Sequence, residues 1–358
     1  MRKIYILAAS ALMTFGLASC DIDNVENFGE LSSGNFPASD VDGEATLAGV
    51  YQNLNQTHAT PQQSFLYNAC LASDDQLGGG GDNDKLMQAL DLILNNGADM
   101  TNQFYVDRYA GINRANMLIS ALPNTSMSEE IKAQYLGEAL FLRAFYYYEL
   151  SSMYGNVPLR TAAGGETMQQ GNIEDIWKQI LQDLRDAIEM MPAKKSTSAG
   201  HVDKYTAEAM LGRAWLFYTG FFCNGSSIAD LTSTNYSPLT SVELLDGTTL
   251  TKQDVIAYID DCVNNSGYSL VPDFRNLWAY TNRLTVEDYD YTKGQGLKWV
   301  EDDSADNPES LFAIKFNKFA SWSTTIGYAN GIALHFGVRG GSTDAKFFPF
   351  GYGLSYTK

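Results

Sequence analysis

An eleven-residue run comes twice in this chain, seventy residues apart: EALFLRAFYYY at Glu138–Tyr148 and EAMLGRAWLFY at Glu208–Tyr218. Glu, Ala, Arg, Ala and Tyr return at matching places, and the prolines Pro123 and Pro192 keep nearly the same step. Seventy residues is about two units of a 34-residue helix–turn–helix repeat. Such units hide their apolar faces only by stacking on one another, so a chain built from them is constrained to a helical solenoid. Small residues let neighbouring helices approach, and a large aromatic fills the gap that remains. Ala139, Ala144 and Phe145 fit those roles in the first copy, as do Ala209, Ala214 and Trp215 in the second. Ala187 precedes Pro192 by five, as expected of the second helix of a tetratricopeptide unit.

Apolar periodicity extends the helical reading in both directions. A first helix starts near Asp42 and carries Leu47, Val50 and Leu54 inward; a second runs from about Thr101 to Leu122 and stops at Pro123. The third opens at Ser128, with Glu129 and Glu130 suiting the helix dipole, and ends at Gly155. Others are expected over 172–191, 203–222 and 251–265. Tyr146, Tyr147 and Tyr148 step around their helix by about 100° each, which suits packing between repeats and leaves one free to face a partner. Beyond residue 270 the period is lost among Gly, aromatic and polar residues, with short β-like runs such as Leu311–Phe316. The expected class is mainly α: tetratricopeptide-like helical repeats with an irregular, loop-rich portion for binding.

The N-terminus has its own pattern. Arg2 and Lys3 precede an apolar stretch over Ile4–Leu17, which closes on Leu17-Ala18-Ser19-Cys20. That is a secretory signal peptide, and small residues directly before a cysteine match the lipobox of bacterial lipoproteins. Cleavage would leave Cys20 at the new N-terminus with acyl chains, each buried methylene stabilising the anchor by ~0.8 kcal/mol. The division expected is a signal peptide at 1–19, a lipidated tether at 20–41, a helical-repeat domain at 42–268 and an irregular portion at 269–358.

The net charge of −18 disfavours nucleic-acid backbones and direct contact with an anionic membrane surface, whereas a neutral sugar meets no such repulsion. Cys70, Cys223 and Cys262 lack metal-ligand spacing and are expected to be small buried residues. No G-x-S-x-G or H-E-x-x-H occurs, and His58, His201 and His335 stand singly, suiting core or surface roles. Gly78–Gly81 lacks the Lys-Ser/Thr of a phosphate cradle. Asp74, Asp75, Asp82 and Asp84 around it fail the EF-hand spacing. A solvated acidic loop accounts for them, with a loop-bound Ca²⁺ as the alternative; no catalytic residue and no metal ligand is assigned.

Three longer runs carry a resemblance. YAGINRAN at Tyr109–Asn116, GEALFLRAFYYY at Gly137–Tyr148 and MYGNVPL at Met153–Leu159 resemble the SusD/RagB family. DNPESLF at Asp306–Phe312 and the loop at 72–81 are similar to later and earlier segments of the same family. The resemblance implies a helical body of tetratricopeptide-like pairs and an irregular part that holds the ligand. It further implies an outer-membrane, surface lipoprotein that passes an oligosaccharide or a peptide to a SusC-like TonB-dependent transporter, without chemistry. Family chains usually run further, so a C-terminal part is expected to be missing. The end, Phe348–Thr357, starts like a family turn and then departs from it.

Sugar capture calls for aromatic faces beside planar polar groups, placed in loops. Trp278, Tyr280, Trp299 and Trp322 supply such faces, with Asn282, Asp302 and Arg339 beside them. Asp74, Asp75 and Asn83 add polar contacts from the early loop, a region that contributes to the ligand site in the family. The competing readings are a tetratricopeptide scaffold for envelope proteins and a hydrolase. The aromatic, irregular second half disfavours the scaffold, since a pure scaffold would continue its helical period.

Overall fold

The computed structural model describes residues 37, 39–59, 64–73, 101–164, 169–193, 200–224, 236–302 and 307–314. Seven α-helices run in chain order among them: α1 (Asp40–Ala59), α2 (Phe65–Ala72), α3 (Asn102–Ala121), α4 (Glu129–Tyr154), α5 (Ile173–Met190), α6 (Lys204–Leu216) and α7 (Lys252–Asn265). From α3 onward each packs on the next, and α1 also lies against α3 and α4. None of the described helices is long and apolar enough to cross a membrane.

Local chemistry sets the boundaries. Ser128 takes the Ile131 amide at 3.3 Å, Asn172 that of Glu174 at 3.0 Å and Asp203 that of Thr206 at 2.9 Å. Thr251 and Asp254 form a reciprocal capping box at the start of α7. Each such cap contributes about 1 kcal/mol. Gly155 ends α4 at φ 69°, where a Cβ would be strained.

α4 is buried on every side, which a helix tolerates only at the centre of a stack. Its three consecutive tyrosines point three ways, and none faces solvent. Tyr146 donates to the Val50 carbonyl of α1 at 2.7 Å, Tyr147 to the Arg160 carbonyl at 3.1 Å, and Tyr148 meets Trp177 of α5 edge-on at 5.6 Å.

Polar groups cross the same interior in matched sets. Arg143, 5% exposed, makes a fork onto Asp183 of α5 at 2.8 and 2.6 Å and reaches Asn116 of α3 at 2.8 Å. Arg108 of α3 pairs with Glu149 of α4 at 2.6 Å, donates to Asn53 of α1, and lies between the rings of Phe104 and Tyr146. His201, single in the sequence, is clamped between Glu138 at 2.9 Å and Glu44 at 3.2 Å.

The two repeat copies are not equally satisfied. Glu138 is fully buried and receives Tyr51 at 2.5 Å, Gln134 at 2.7 Å and His201. Glu208, its counterpart, is equally buried, yet among the described residues neither oxygen accepts a hydrogen bond. Lys204, at the place of Gln134, stays 3.5 Å away because Asp261 of α7 holds it at 2.5 Å. Burial, together with the negative charge of Asp261, pushes the Glu208 carboxyl up to about 7 against the pull of Lys204.

Some expectations are corrected. Leu311–Ile314 is not a strand; the Leu311 carbonyl is taken by the Thr206 hydroxyl at 2.8 Å instead of by a strand neighbour. The strands described are a hairpin of β1 (Ser241–Glu243) and β2 (Thr249–Thr251), turned at Asp246-Gly247 with Gly247 at φ 82°. The short α2 was not anticipated either. Cys262 is buried as expected, but Cys70 is half-buried and Cys223 exposed.

Removing Asp183 leaves the Arg143 guanidinium buried without a counter-charge. Asp183→Ala is therefore expected to lower the unfolding free energy by about 3–5 kcal/mol in urea denaturation. Lys178→Ala, which breaks a solvent-facing pair with Glu174, should cost about 0.5 kcal/mol or less. The raised Glu208 pKa has a definite sign. Between an unfolded value of 4.5 and about 7 the folded protein keeps a proton that the unfolded chain has lost, so this group's contribution falls as pH rises through that window. Glu208→Gln should flatten the decline in melting temperature across it, and an unchanged slope would assign the effect elsewhere.

Candidate functional site

The loop-rich portion is tied to the helical body before it displays anything. Residues 307–314 form a strap against α4 and α6. Phe312 meets Phe141 and Phe145 edge-on at 5.4 and 5.3 Å, and the Thr206–Leu311 bond clips it to α6. The strap then holds the chain leaving α7: Ser269 donates to the Pro308 carbonyl at 3.1 Å and Val271 to Glu309 at 2.5 Å. Asp203 joins in, capping α6 with one oxygen while the Tyr268 hydroxyl reaches the other at 3.4 Å.

Residues 273–302 then fold on themselves through turns. Asp273 opens a 3₁₀ turn over Phe274–Leu277 and is gripped by Arg275 at 3.0 and 2.7 Å; that hydrogen-bonded guanidinium holds its carboxyl below the usual carboxylate range. Asn276 receives Lys298 on its side chain at 2.8 Å and Val300 on its carbonyl at 2.9 Å. The Trp299 amide donates to Thr281 at 3.1 Å, and that of Arg283 to Asp302 at 2.8 Å. These cross-links fix two lengths of irregular chain side by side.

What they present is aromatic. Phe274 and Trp278, 67% and 51% exposed, stand edge to face at 6.0 Å. Tyr280 meets Tyr291 at 5.9 Å, and Tyr289 stacks on Tyr291 at 5.2 Å with the rings 20° apart. Tyr291 is itself 60% exposed. Open ring faces on a hydrogen-bonded frame can stack on a flat apolar surface such as one side of a pyranose, and frame carboxylates and amides can meet its hydroxyls. Among the described residues no three His, Cys, Asp or Glu side chains converge to hold a metal ion.

Of the residues singled out by sequence, Trp278, Tyr280, Asn282 and Trp299 come together in this one module. Trp278 is exposed, while Tyr280 and Trp299 are half-buried. Asn282 is buried and builds a turn: its oxygen takes the Leu284 amide at 2.8 Å and its nitrogen donates to Thr285 at 2.9 Å. Cys20, Asp74, Asp75, Asn83, Trp322 and Arg339 lie outside the described residues. Phe274, Tyr289 and Tyr291 were missed. Two of them sit in the acidic run Val286–Tyr291, where charge hid the alternation of Tyr with Asp.

Residues 28–216 match the family model SusD-like_3, described as "Starch-binding associating with outer membrane". "SusD-like protein P38" of Formosa agariphila is 24% identical over 255 residues, which is 67% of this chain and 48% of that protein. A solved structure titled "Laminarin binding SusD-like protein" aligns at TM-score 0.54 and 25% identity, covering 69% of this chain and 49% of that one. "Surface glycan-binding protein A from Bacteroides fluxus" aligns at TM-score 0.62 and 21% identity, over 89% of this chain and 59% of that one, a likeness of fold. This chain spans about half the length of the curated relatives it matches.

Proposed function

This chain belongs to the SusD-like family, and from that premise we propose that it is a lipid-anchored outer-membrane receptor that captures an extracellular glycan and passes it to a SusC-like TonB-dependent transporter. The observation that carries the reading is the set of exposed rings, Phe274 beside Trp278 and Tyr291 beside Tyr280 and Tyr289, on a frame fastened to the helical stack. A pre-set frame loses little conformational entropy on binding, which is what a weak-contact ligand such as a sugar requires. Binding and release involve no bond-making here: the rings stack, the frame's polar groups meet hydroxyls, and the protein acts as a non-catalytic receptor. The laminarin named for one relative makes a β-glucan a reasonable first probe. The acidic residues near Asp74 and Asn83, and Trp322 and Arg339, complete the site in this reading, and Cys20 carries the anchor.

Two measurements test it. In affinity electrophoresis with laminarin, starch and other polysaccharides, at least one should retard the protein, and Phe274→Ala with Trp278→Ala should weaken that retention roughly tenfold, equivalent to ~1.4 kcal/mol. Retention of none, or steady release of reducing sugar, would overturn the receptor reading; envelope proteins co-purifying without any glycan retention would favour the scaffold instead. Mass spectrometry of membrane-extracted protein should find acyl chains on Cys20, and an unmodified cytosolic form would remove the anchor.

A further inference from the structure

The two repeat copies differ at their arginine as well as at their glutamate. Arg143 is fully engaged by Asp183 and Asn116, whereas Arg213, at the same place in the second copy, has no ion pair or hydrogen bond among the described residues. Its guanidinium lies 5.4 Å over the Tyr148 ring. Glu149, whose charge it feels, is buried and already paired with Arg108 at 2.6 Å. An exposed cation is thus held in position by an aromatic ring and left without an anion.

Arg213 edges a groove made by a change in the helix itself. After Leu216 the backbone widens into a π turn over Phe217–Phe221. Such turns are rare and concentrate at functional sites. This one stacks Phe217 on Phe221 at 5.2 Å and brings Gly220 to the same wall. A Cβ on Gly220 would stand 3.0 Å from the Tyr236 hydroxyl opposite, so glycine keeps the groove open there. The cavity measures about 400 Å³, in the range of small-ligand sites.

We infer that this groove is a second binding site, for a ring that bears a carboxylate, as in a uronate unit of an acidic glycan. The phenylalanine wall takes the ring face, and the planar guanidinium takes the carboxylate through two parallel hydrogen bonds. Charge places that carboxylate. Arg213 is the one charged side chain among the lining residues, so an anion gains at that end; Glu174 acts on Tyr218 and Cys223, and Asp175 on Tyr218, neither of which lines the groove. A neutral sugar offers the guanidinium only single hydroxyl acceptors, weaker than the charge-assisted pair that a carboxylate makes. The site shares no residue with the loop aromatics and does not depend on them.

Calorimetric titration of the folded protein with digalacturonate, and with lactose as the neutral control, tests the assignment. Saturable binding of digalacturonate is expected, at least tenfold tighter than lactose and weakened by salt. Arg213→Gln should reduce it at least tenfold with an unchanged melting temperature, and Gly220→Val, which fills the groove, should do the same through a different atom. Trp278→Ala should leave it intact. The assignment is overturned if digalacturonate shows no saturable binding, if lactose binds as well, if both groove variants bind normally, or if Trp278→Ala abolishes the signal.

Discussion

Arg143 sits where three helices meet, and its charge is tolerable there only because two neighbours answer it. Asp183 comes from α5 and Asn116 from α3. A buried guanidinium with a missing partner costs several kcal/mol, so a slip of either neighbour by one residue is heavily penalised. Arg108 imposes the same condition on α1, α3 and α4 through Asn53 and Glu149. Apolar packing alone would allow these helices several near-equal arrangements; the two arginines select one. Everything downstream, including the strap that bears the aromatic loops, is positioned by that selection.

The second copy of the repeat is keyed less tightly. Among the described residues its arginine has no acceptor and its glutamate accepts no hydrogen bond, with Lys204 standing 3.5 Å off, though both positions repeat the same pattern. Beyond Gln134 of α4 itself, the partners that satisfy the first copy come from α1, α3, α5 and the turn before α6, and α7 with its hairpin offers fewer equivalents. Loosened constraint here coincides with the π turn and with an open groove, so the features available for binding gather where structural demands relax.

Much of the helical body was legible because its signals are local. Ser128, Asn172, Asp203 and Thr251 cap helices where the sequence put their starts, and the seventy-residue echo reported the stacking. The hairpin at 241–251 escaped because strands of three residues are too short for a period, although Asp246-Gly247 is a turn signal in plain view. Leu311–Ile314 misled because its apolar residues serve a strap, whose bonds come from a distant threonine and not from a strand. At the candidate site the tryptophans were visible as residue types. Which aromatics meet one another was not, since that depends on turn contacts such as Asn276 with Val300.

The thin inner face of α7 has a consequence for how the molecule comes apart. Only Val255 and Cys262 of that helix are buried, against a continuous row from Ile176 to Ile188 on α5. In a stack where each layer is stabilised mainly by its neighbours, local opening favours the layer with the thinnest buried face. Amide exchange should therefore be faster in α7 than in α6, and slowest in α4.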